Sequence, residues 1–335
     1  MKVLITGVAG FIGMHLANRL FRDDVKIIGI DNMNDYYDVD LKKARLEQIS
    51  HNEKFRFELL DLLDLRLLKD LFKKEKFDYV INLAAQAGVR YSIEQPQKYV
   101  DSNITGFLNI LECCRHYPVN HLVFASSSSV YGLNNSMPFS EKDHTDHPIS
   151  LYGATKKANE LMAHSYSNLF SIPSTGLRFF TVYGPWGRPD MAPFIFIKSI
   201  LSGTPIKLFN NANMERDFTY IDDISEAVTK CCYKKATSSE SFNNESPENA
   251  ISFAPHRIFN IGNSKSINLL YFIETIEKEL GKKAKKIYEP IQAGDVLSTY
   301  SDTNRLEKWI EYKPKTSIEK GVKLFIDWYK KYYAC

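Results

Sequence analysis

The sequence predicts an α/β protein with a Rossmann-type, doubly wound parallel sheet and a smaller, interleaved C-terminal domain. Over residues 1–180, short apolar runs alternate with longer stretches of helical periodicity, which is typical of a parallel sheet with helices on both faces. After Phe180 this alternation breaks, and Gly, Pro and aromatic residues cluster in TVYGPWGRPDMAPF. We therefore predict one domain over residues 1–180, with later pieces at about 217–262, and a second, interleaved domain over residues 181–335.

The elements of the sheet domain follow from this alternation. Short apolar runs predict strands at Val3–Thr6, Lys26–Ile30, Phe55–Leu60, Tyr79–Ala84, His121–Ser126 and Thr175–Phe179. Apolar residues at helical spacing predict helices near Phe11–Arg22, Leu65–Lys74, Gln97–His116 and Leu151–Phe170. Right-handed crossovers between these strands make a doubly wound sheet. The polar stretch Lys234–Arg257, rich in Ser and Asn, is predicted to be a surface insertion or a mobile loop.

Composition excludes several classes of protein. An apolar fraction of 44% and a charged fraction of 25% are those of a globular protein rather than a disordered one. The formal charge of +3 is too small and too evenly spread to indicate nucleic acid or an anionic membrane as a partner. Five cysteines without CxxC spacing fit a reducing cytoplasm, and no window approaches the ~18 apolar residues of a membrane helix. We expect a soluble, cytoplasmic protein that binds neither nucleic acid nor membrane.

Acidic and histidine residues cluster in DHTDHP, where Asp143, His144, Asp146 and His147 have the side chains of metal ligands. A turn before the helix at residue 151 explains the same residues equally well. We predict no metal site.

The first motif with chemical content is TGVAGFIG, in which Gly7, Gly10 and Gly13 follow a strand and open a helix. Glycines at these positions let the chain turn sharply and let a pyrophosphate approach the backbone amides. Asp31 ends the second strand eighteen residues past Gly13, where its carboxylate can accept hydrogen bonds from a ribose. The same charge would repel a 2′-phosphate, so the sequence predicts NAD rather than NADP.

Other candidate cofactor contacts flank the glycines or follow the strands. Asp61 and Leu62 come after the third strand, where they could border the adenine, although an ordinary strand-end turn explains them nearly as well. Small residues in NLAAQAG follow the fourth strand, where the second ribose could lie against the backbone. The complete set of these candidates is Phe11, Ile12, Asn32, Asp61, Leu62, Leu83, Ala84 and Ala85.

The second motif is YGATK, in which Tyr152 and Lys156 lie four residues apart and therefore on one face of a helix. A tyrosine with a pKa near ~10 is a poor base at neutral pH. A neighbouring ammonium and a positive nicotinamide ring would favour the phenolate and lower that pKa. Tyr-x-x-x-Lys alone is often a solvated helix face, but here it follows a glycine loop and ASSSSVYG.

Taken together, these motifs resemble those of the extended short-chain dehydrogenase/reductase family, and within it the UDP-glucuronate 4-epimerases. The glycine loop and YxxxK mark only the superfamily, whereas DNMNDYYD and RFFTVYGPWGRPDM are much more specific. The insertion at about 235–257 is longer than is usual in the family, and Gln292 and Thr299 lie in a variable, substrate-facing segment. These departures affect the substrate more than the chemistry.

The resemblance implies a catalytic set. Ser127, twenty-five residues before Tyr152, matches the family's catalytic hydroxyl, which leaves Ser126 a structural role. Tyr152 takes the proton of the C4 hydroxyl, Lys156 supports it, and both also contact NAD. Hydride passes to NAD⁺, the 4-keto sugar rotates, and hydride returns to its other face. The cofactor therefore stays bound and is expected to copurify with the protein.

The residues after Ser127 distinguish this reaction from related ones. Similar 4,6-dehydratases carry an acidic pair before Val-Tyr-Gly, and UDP-glucuronate decarboxylases place a glutamate at its second position. Ser128 and Ser129 stand there in this chain. The resemblance therefore implies that the intermediate is inverted rather than broken down, interconverting UDP-glucuronate and UDP-galacturonate.

The resemblance also implies contacts to the UDP-sugar. Arg188 would hold the C6 carboxylate, with hydrogen bonds from Thr181 and Ser128. Arg216 in RDFTYIDD is the candidate for the diphosphate, with a salt bridge to Asp217 or Asp222 as the alternative. Two further candidates complete the set, namely Asp295 for the uridine ribose and Arg90 near the phosphates.

Other functions remain open from the sequence. The alternatives are a 4-epimerase of another UDP-hexose, a UDP-glucuronate decarboxylase, and a non-enzymatic protein that senses NAD or nucleotide sugars. The presence of Ser127, Tyr152 and Lys156 in one chain weighs against a sensing protein, because such a protein needs no catalytic base. Related enzymes dimerise through two helices that correspond to Gln97–His116 and Leu151–Phe170, so a homodimer is expected. A precursor of a bacterial-type surface polysaccharide is the expected product.

Overall fold

A seven-stranded parallel sheet organises the chain. The structure is a computed structural model that describes residues 1–290 and 298–335. Within those residues the strands of the large sheet run in the order 11-6-5-4-1-2-3, numbered along the chain, and three small sheets lie beyond it. The predicted α/β class with a Rossmann-type sheet is therefore confirmed.

The strands of the described chain have the following bounds. They are β1 (Lys2–Thr6), β2 (Lys26–Asp31), β3 (Phe55–Leu59), β4 (Tyr79–Asn82), β5 (His121–Ser127), β6 (Ser174–Phe179), β7 (Thr181–Tyr183), β8 (Ile206–Leu208), β9 (Glu215–Arg216), β10 (Phe218–Tyr220), β11 (His256–Ile261), β12 (Ile267–Asn268), β13 (Lys286–Tyr288) and β14 (Ser298–Thr299).

The helices cover both faces of the large sheet and build most of the C-terminal part. They are α1 (Phe11–Phe21), α2 (Val39–Ser50), α3 (Leu65–Glu75), α4 (Tyr91–Glu94), α5 (Pro96–Tyr99), α6 (Gly106–His116), α7 (Leu151–Phe170), α8 (Ala192–Ser202), α9 (Ile221–Tyr233), α10 (Leu269–Leu280), α11 (Asn304–Ile310) and α12 (Ile318–Tyr333).

The six predicted strands are confirmed as β1 to β6, with ends that differ by at most two residues. The helices predicted near Phe11, Leu65 and Leu151 are confirmed as well. The helix predicted over Gln97–His116 is interrupted, because the six residues Val100–Thr105 form a π-helical segment between α5 and α6. Such a segment inserts an extra residue into the turn. Here it turns the side chain of Asn103 inward, where it is buried.

Helix α2 and strand β11 are among the elements that the sequence did not predict. Helix α2 buries Lys42 and Arg45 as well as Leu41 and Ile49, so its inner face does not read as apolar. Strand β11 begins at His256 and pairs with β6, so the predicted surface insertion is wrong at its end. The stretch before it is also not wholly at the surface, because Ala236 and Ala250 are buried. The boundaries of the two domains stay a prediction.

The core lies on both faces of the sheet. In β5, Val123 packs into one cluster while Leu122 and Phe124 pack into the other, as the alternation of a strand requires. The first cluster continues without a break into α8, α10 and α12 of the C-terminal part. This shared core holds the C-terminal part against the carboxyl ends of the strands. Strand order reverses between β1 and β4, the place where such sheets bind ligands.

No helix among residues 1–290 and 298–335 is long and apolar enough to cross a membrane.

Replacing Phe272 with Ala should test the packing of the C-terminal part. The Phe272 ring is fully buried and stacks on Phe218 with the ring centroids 4.2 Å apart. Deleting a buried Phe ring costs about 3–5 kcal/mol, so the melting temperature should fall clearly. Tyr271→Ala, on the exposed side of the same helix, is the control and should change it much less. Equal losses in the two variants would contradict this packing.

Candidate functional site

A cavity of about 1060 Å³ opens at the carboxyl ends of β1, β4 and β5, between the large sheet and the C-terminal part. It brings together every predicted site residue that the structure describes. These are Gly7, Gly10, Phe11, Ile12, Gly13, Asp31, Asn32, Asp61, Leu62, Leu83, Ala84, Ala85, Arg90, Ser127, Ser128, Tyr152, Lys156, Thr181, Arg188 and Arg216. The remaining candidate, Asp295, lies outside the described residues, as does Gln292.

The glycine loop is shaped for a phosphate group. Gly7 adopts a φ of +71°, and a Cβ atom on Gly13 would lie 2.3 Å from the Gly7 carbonyl oxygen. Helix α1 follows directly, with Gly10 as its N-cap, and within the described chain no side chain caps it. Its first turn also lacks acidic residues. The amide groups at this helix end can therefore receive an anion such as a pyrophosphate.

Asp31 stands at the end of β2, where its side chain is 9% exposed. Its carboxylate accepts hydrogen bonds from the backbone amides of Ala9 at 3.2 Å and Met33 at 2.9 Å. Burial raises the pKa of Asp31. The neighbouring Asn32 donates to Asp61 at 2.8 Å. This arrangement keeps carboxylate lone pairs available at the cavity wall and fits the ribose hydroxyls of a dinucleotide.

Ser127 and Lys156, from the ASSSSVYG and YGATK motifs, both line the cavity. Ser127 ends β5, and its Oγ accepts a hydrogen bond from the Ser129 amide at 3.2 Å. Lys156 on α7 is almost fully buried, and its Nζ donates to the Ala125 carbonyl at 2.8 Å. The same nitrogen lies 6.0 Å from the centre of the Tyr152 ring. Burial lowers the pKa of Lys156 to about 8.

The pKa of Tyr152 differs from the sequence-based expectation. Burial raises it, while a hydrogen bond with Ser127 and the charge of Arg188 lower it by less. The predicted depression by a neighbouring ammonium is therefore wrong for the protein groups taken alone. The reason is that Tyr152 is itself buried. The nearby ammonium of Lys156 donates to the Ala125 carbonyl.

A buried ion pair supports the strand that ends in Ser127. Glu160 accepts a hydrogen bond from the Ser126 hydroxyl at 2.6 Å and two from the Arg178 guanidinium at 2.9 Å each. Arg178 is fully buried in β6. Ser126 therefore has the structural role that the resemblance implied. The sequence reading missed the pair, although an arginine inside an apolar strand was a usable signal.

Two more residues around Tyr152 were missed. Asn103, in the π-helical segment, donates to the Gln86 carbonyl and to the Thr155 hydroxyl, both at 3.0 Å. It thereby ties the loop after β4 to the turn of α7 that carries Tyr152. The ring of Tyr99 meets the Tyr152 ring edge-on, with the centroids 6.1 Å apart. Nothing in the spacing of these residues pointed to the site.

Arg188 faces the cavity from the turn after β7, with 22% of its side chain exposed. Its Nε donates to Oδ1 of Asp190 at 3.0 Å, and its Nη2 donates to Oδ2 of the same carboxylate. The guanidinium carries further N–H donors beyond these two bonds. Thr181 and Ser128 line the same cavity. The turn can therefore present donors to a carboxylate ligand.

The other two predicted arginines, Arg90 and Arg216, also line the cavity. The guanidinium carbon of Arg90 lies 5.1 Å from the centre of the Phe209 ring. Arg216 donates from Nη1 to the carbonyl of Glu215 at 2.8 Å. Asp217, the alternative partner of Arg216, is buried and accepts a hydrogen bond from the Ser301 hydroxyl at 2.6 Å. The diphosphate role of Arg216 stays a prediction.

The acidic and histidine cluster before α7 is at the surface. His144 and Asp146 are largely exposed, with Nδ1 3.7 Å from Oδ2. Nowhere in the part of the chain that the structure describes do three or more His, Cys, Asp or Glu side chains group as metal ligands would.

Comparisons with known proteins agree on one family. The model of the NAD dependent epimerase/dehydratase family matches residues 3–246. Protein CapI of Staphylococcus aureus is 53% identical over 333 residues, which are 99% of each chain. A probable UDP-glucuronate 4-epimerase of Rhizobium meliloti is 43% identical over 334 residues, covering 99% of this chain and 98% of the relative.

A solved structure is similar over the whole fold. It is the UDP-glucuronic acid 4-epimerase of Bacillus cereus in complex with UDP-glucuronic acid and NAD. The TM-score is 0.88 at 34% identity, and the match covers 99% of this chain and 100% of the other.

Replacing Lys156 with Met should change stability in a pH-dependent way. The pKa of Lys156 falls from 10.5 to about 8 on folding, so the unfolded chain binds more protons between these pH values. At pH 7 burial of the ammonium destabilises the wild-type fold by about 3 kcal/mol, and the Met variant is free of this cost. The variant also loses the hydrogen bond to Ala125, which stabilises the wild type by about 1 kcal/mol. The ligand-free variant should therefore melt higher than the wild type at pH 7, with the difference shrinking as pH rises above 8.

Lys43→Met is the matched control, because Lys43 is an exposed lysine paired with Asp40. Thermal melts of the three proteins between pH 7 and 10 provide the measurement. A lower melting temperature of Lys156→Met at pH 7 would show that the ammonium stabilises the fold instead.

Proposed function

The chain belongs to the NAD-dependent epimerase/dehydratase family, so its cofactor is NAD, and on this premise we propose that it interconverts UDP-glucuronate and UDP-galacturonate. The observation that carries the proposal is the position of Arg188. This guanidinium shares one cavity with Ser127, Tyr152 and Lys156, and its charge acts on the Tyr152 hydroxyl. A guanidinium in the same cavity as the proposed base suits a uronic acid better than a neutral hexose, because it can bind a carboxylate.

The proposed chemistry begins with proton transfer. Tyr152 takes the proton of the C4 hydroxyl, and Ser127, hydrogen-bonded to it, shortens the path and polarises the developing ketone. Bound NAD supplies the oxidising and then the reducing equivalent at C4. Lys156 lies one turn from Tyr152, with its Nζ 6.0 Å from the centre of the ring, and would favour the phenolate together with the positive nicotinamide ring. Rotation of the sugar between the two transfers inverts C4 with no net oxidation.

A uronic acid makes this intermediate hazardous. A ketone at C4 turns the C6 carboxylate into that of a β-keto acid, which loses CO2 fastest when the C5–C6 bond stands perpendicular to the carbonyl plane. Arg188 would hold the carboxylate in another orientation, with Thr181 and Ser128 adding hydrogen bonds. No acidic residue stands at the two positions before Val130, where Ser128 and Ser129 lie instead. This sequence supports epimerisation over elimination.

The remaining roles are part of the same proposal. The glycine loop and Asp31 would hold the pyrophosphate and the adenosine ribose, and the loop after β4 would border the nicotinamide ribose. Arg216 and Arg90 would contact the diphosphate. The uridine role of Asp295, the two-domain division and the homodimer rest on the resemblance.

One incubation separates the candidate functions. The purified protein is mixed with UDP-glucuronate, and the sugar nucleotides are separated by chromatography. UDP-galacturonate is the expected product. UDP-xylose would indicate a decarboxylase, and unchanged substrate with bound NAD would indicate a sensor.

Tyr152→Phe should abolish most of the turnover while leaving the cofactor bound. The ring fills the same volume, but the proton acceptor is lost, and a positioned base contributes about 10²–10⁴-fold. The measurements are the rate of UDP-galacturonate formation and the NAD released on denaturation. Undiminished turnover would remove Tyr152 from the catalytic set.

Arg188→His should release decarboxylated product, because the shorter side chain can no longer make a bidentate contact with the carboxylate. Chromatography should show a UDP-pentose beside UDP-galacturonate. Arg66→His, at an exposed arginine paired with Asp70, is the control and should give none. Clean epimerisation by Arg188→His would exclude Arg188 from this role.

A further inference from the structure

The two stretches that carry the narrow resemblance touch each other in the fold. We call residues 33–45 the β2–α2 segment and residues 184–190 the arginine turn. The Tyr36 hydroxyl, in the segment, donates to Oδ2 of Asp190 in the turn at 3.1 Å. The fully buried Arg45, also in the segment, donates to the Trp186 carbonyl at 2.8 Å from Nη2. The turn that carries Arg188 is therefore held in place by the β2–α2 segment, which follows the strand that ends in Asp31.

We propose that Asp190, held by Tyr36, is a positioning residue that sets the plane of the Arg188 guanidinium and thereby keeps the uronate carboxylate from being lost as CO2. This inference rests on the proposed function and deepens it. It assigns the selectivity between epimerisation and decarboxylation to a pair of residues that need not touch the reacting carbon.

The geometry supports a fixed plane. Asp190 engages Nε and Nη2 of Arg188 with its two oxygens, and a two-point contact between planar groups fixes both in one plane. The donors left on the guanidinium then point in set directions. A single-point contact would leave the side chain free to turn about its long stem.

The contacts around Asp190 keep it in the form that this role needs. Burial raises the pKa of Asp190, but the charge and hydrogen bonds of Arg188 outweigh it, so the pKa lies below its ordinary value. Burial raises the pKa of Tyr36 to about 12, so its hydroxyl remains a donor at neutral pH. The Tyr36 ring is itself held against Tyr91, with the centroids 4.7 Å apart. At neutral pH the Asp190 carboxylate and the Arg188 guanidinium are therefore both charged. Asp190 accepts hydrogen bonds from Tyr36 on one side and from Arg188 on the other.

Decarboxylation depends on the orientation of the C5–C6 bond, which the hydrogen bonds of Tyr36, Asp190 and Arg188 would control. When the 4-keto sugar loses CO2, the C5–C6 bond breaks and its electron pair passes into the C4 carbonyl as an enolate. A proton then adds at C5, which leaves a UDP-4-keto-pentose, and no further oxidant is needed. The rate rises as C5–C6 turns perpendicular to the carbonyl plane. A guanidinium that can swing allows this rotation, whereas one held by Asp190 resists it.

The charge of Asp190 gives the role a distinctive signature. The carboxylate partly neutralises Arg188, so removing its charge leaves the site more attractive to an anionic sugar. Asp190→Asn should therefore leave KM for UDP-glucuronate unchanged or lower, while more of the turnovers end in decarboxylation. General damage to the site would raise KM or lower kcat without changing the ratio of the two products.

The experiment compares Asp190→Asn, Asp190→Ala and Tyr36→Phe with the wild type, all as the NAD-bound protein. The ratio of decarboxylated product to UDP-galacturonate is measured by chromatography, together with KM and kcat. Glu226→Gln is the matched control, because Glu226 also makes a two-point contact with an arginine, Arg19, but lies outside the cavity.

The ratio should rise about 10-fold or more in the two Asp190 variants, as expected for a misplaced binding group, and less in Tyr36→Phe. It should not change in Glu226→Gln. An unchanged ratio in the Asp190 variants would overturn this inference and leave the proposed function standing. If the Asp190 variants do not fold, an unchanged ratio in Tyr36→Phe would overturn it. A wild-type protein that makes no UDP-galacturonate would overturn both.

Discussion

The hydrogen bond from the buried ammonium of Lys156 to the Ala125 carbonyl fixes how helix α7 meets the central sheet. The next two residues of β5 are tied to the same helix, Ser126 to Glu160 and Ser127 to Tyr152. The three helix residues lie four apart and share one face. Consecutive residues at the end of one strand are therefore each matched by one turn of the helix. The distance between the hydroxyls of Ser127 and Tyr152 follows from this alignment.

The alignment requires charges inside the protein, and each is compensated differently. Glu160 is matched by Arg178 with two hydrogen bonds, so that pair is buried at acceptable cost, whereas removing either partner would leave an uncompensated charge. Lys156 has a carbonyl as its hydrogen-bond partner, and its pKa falls accordingly. Of the two buried charges on α7, that of Lys156 is thus less well compensated than that of Glu160. A lysine that is costly for the fold is understandable if its charge is used in the reaction.

The sequence predicted the parts of this design that depend on local pattern. Glycine spacing, Asp31, the YxxxK pair and the six strands are each visible within a few neighbouring residues, and the cavity gathers all the described candidates. What it did not predict depends on tertiary contacts. The buried face of helix α2 could not be recognised from apolar spacing, because it includes Arg45 and Lys42. These buried side chains donate hydrogen bonds to backbone carbonyls. The π-helical segment follows from Asn103 reaching a distant loop, and the pKa of Tyr152 from burial.

The contact between Tyr36 and Asp190 spans 154 residues of sequence, so no local pattern could reveal it. It nevertheless joins the two separate stretches that carry the narrow resemblance. In the proposed function, the glycine loop and helix α7 serve NAD binding and proton transfer, which many substrates can share. The arginine turn would provide a group for one kind of substrate, and the β2–α2 segment contacts that turn through Tyr36 and Arg45. Arg45 also donates to the Ala9 carbonyl of the glycine loop, so a single buried side chain links the cofactor loop with the substrate turn. Replacing Arg45 would therefore remove contacts to the cofactor loop and to the substrate turn at once.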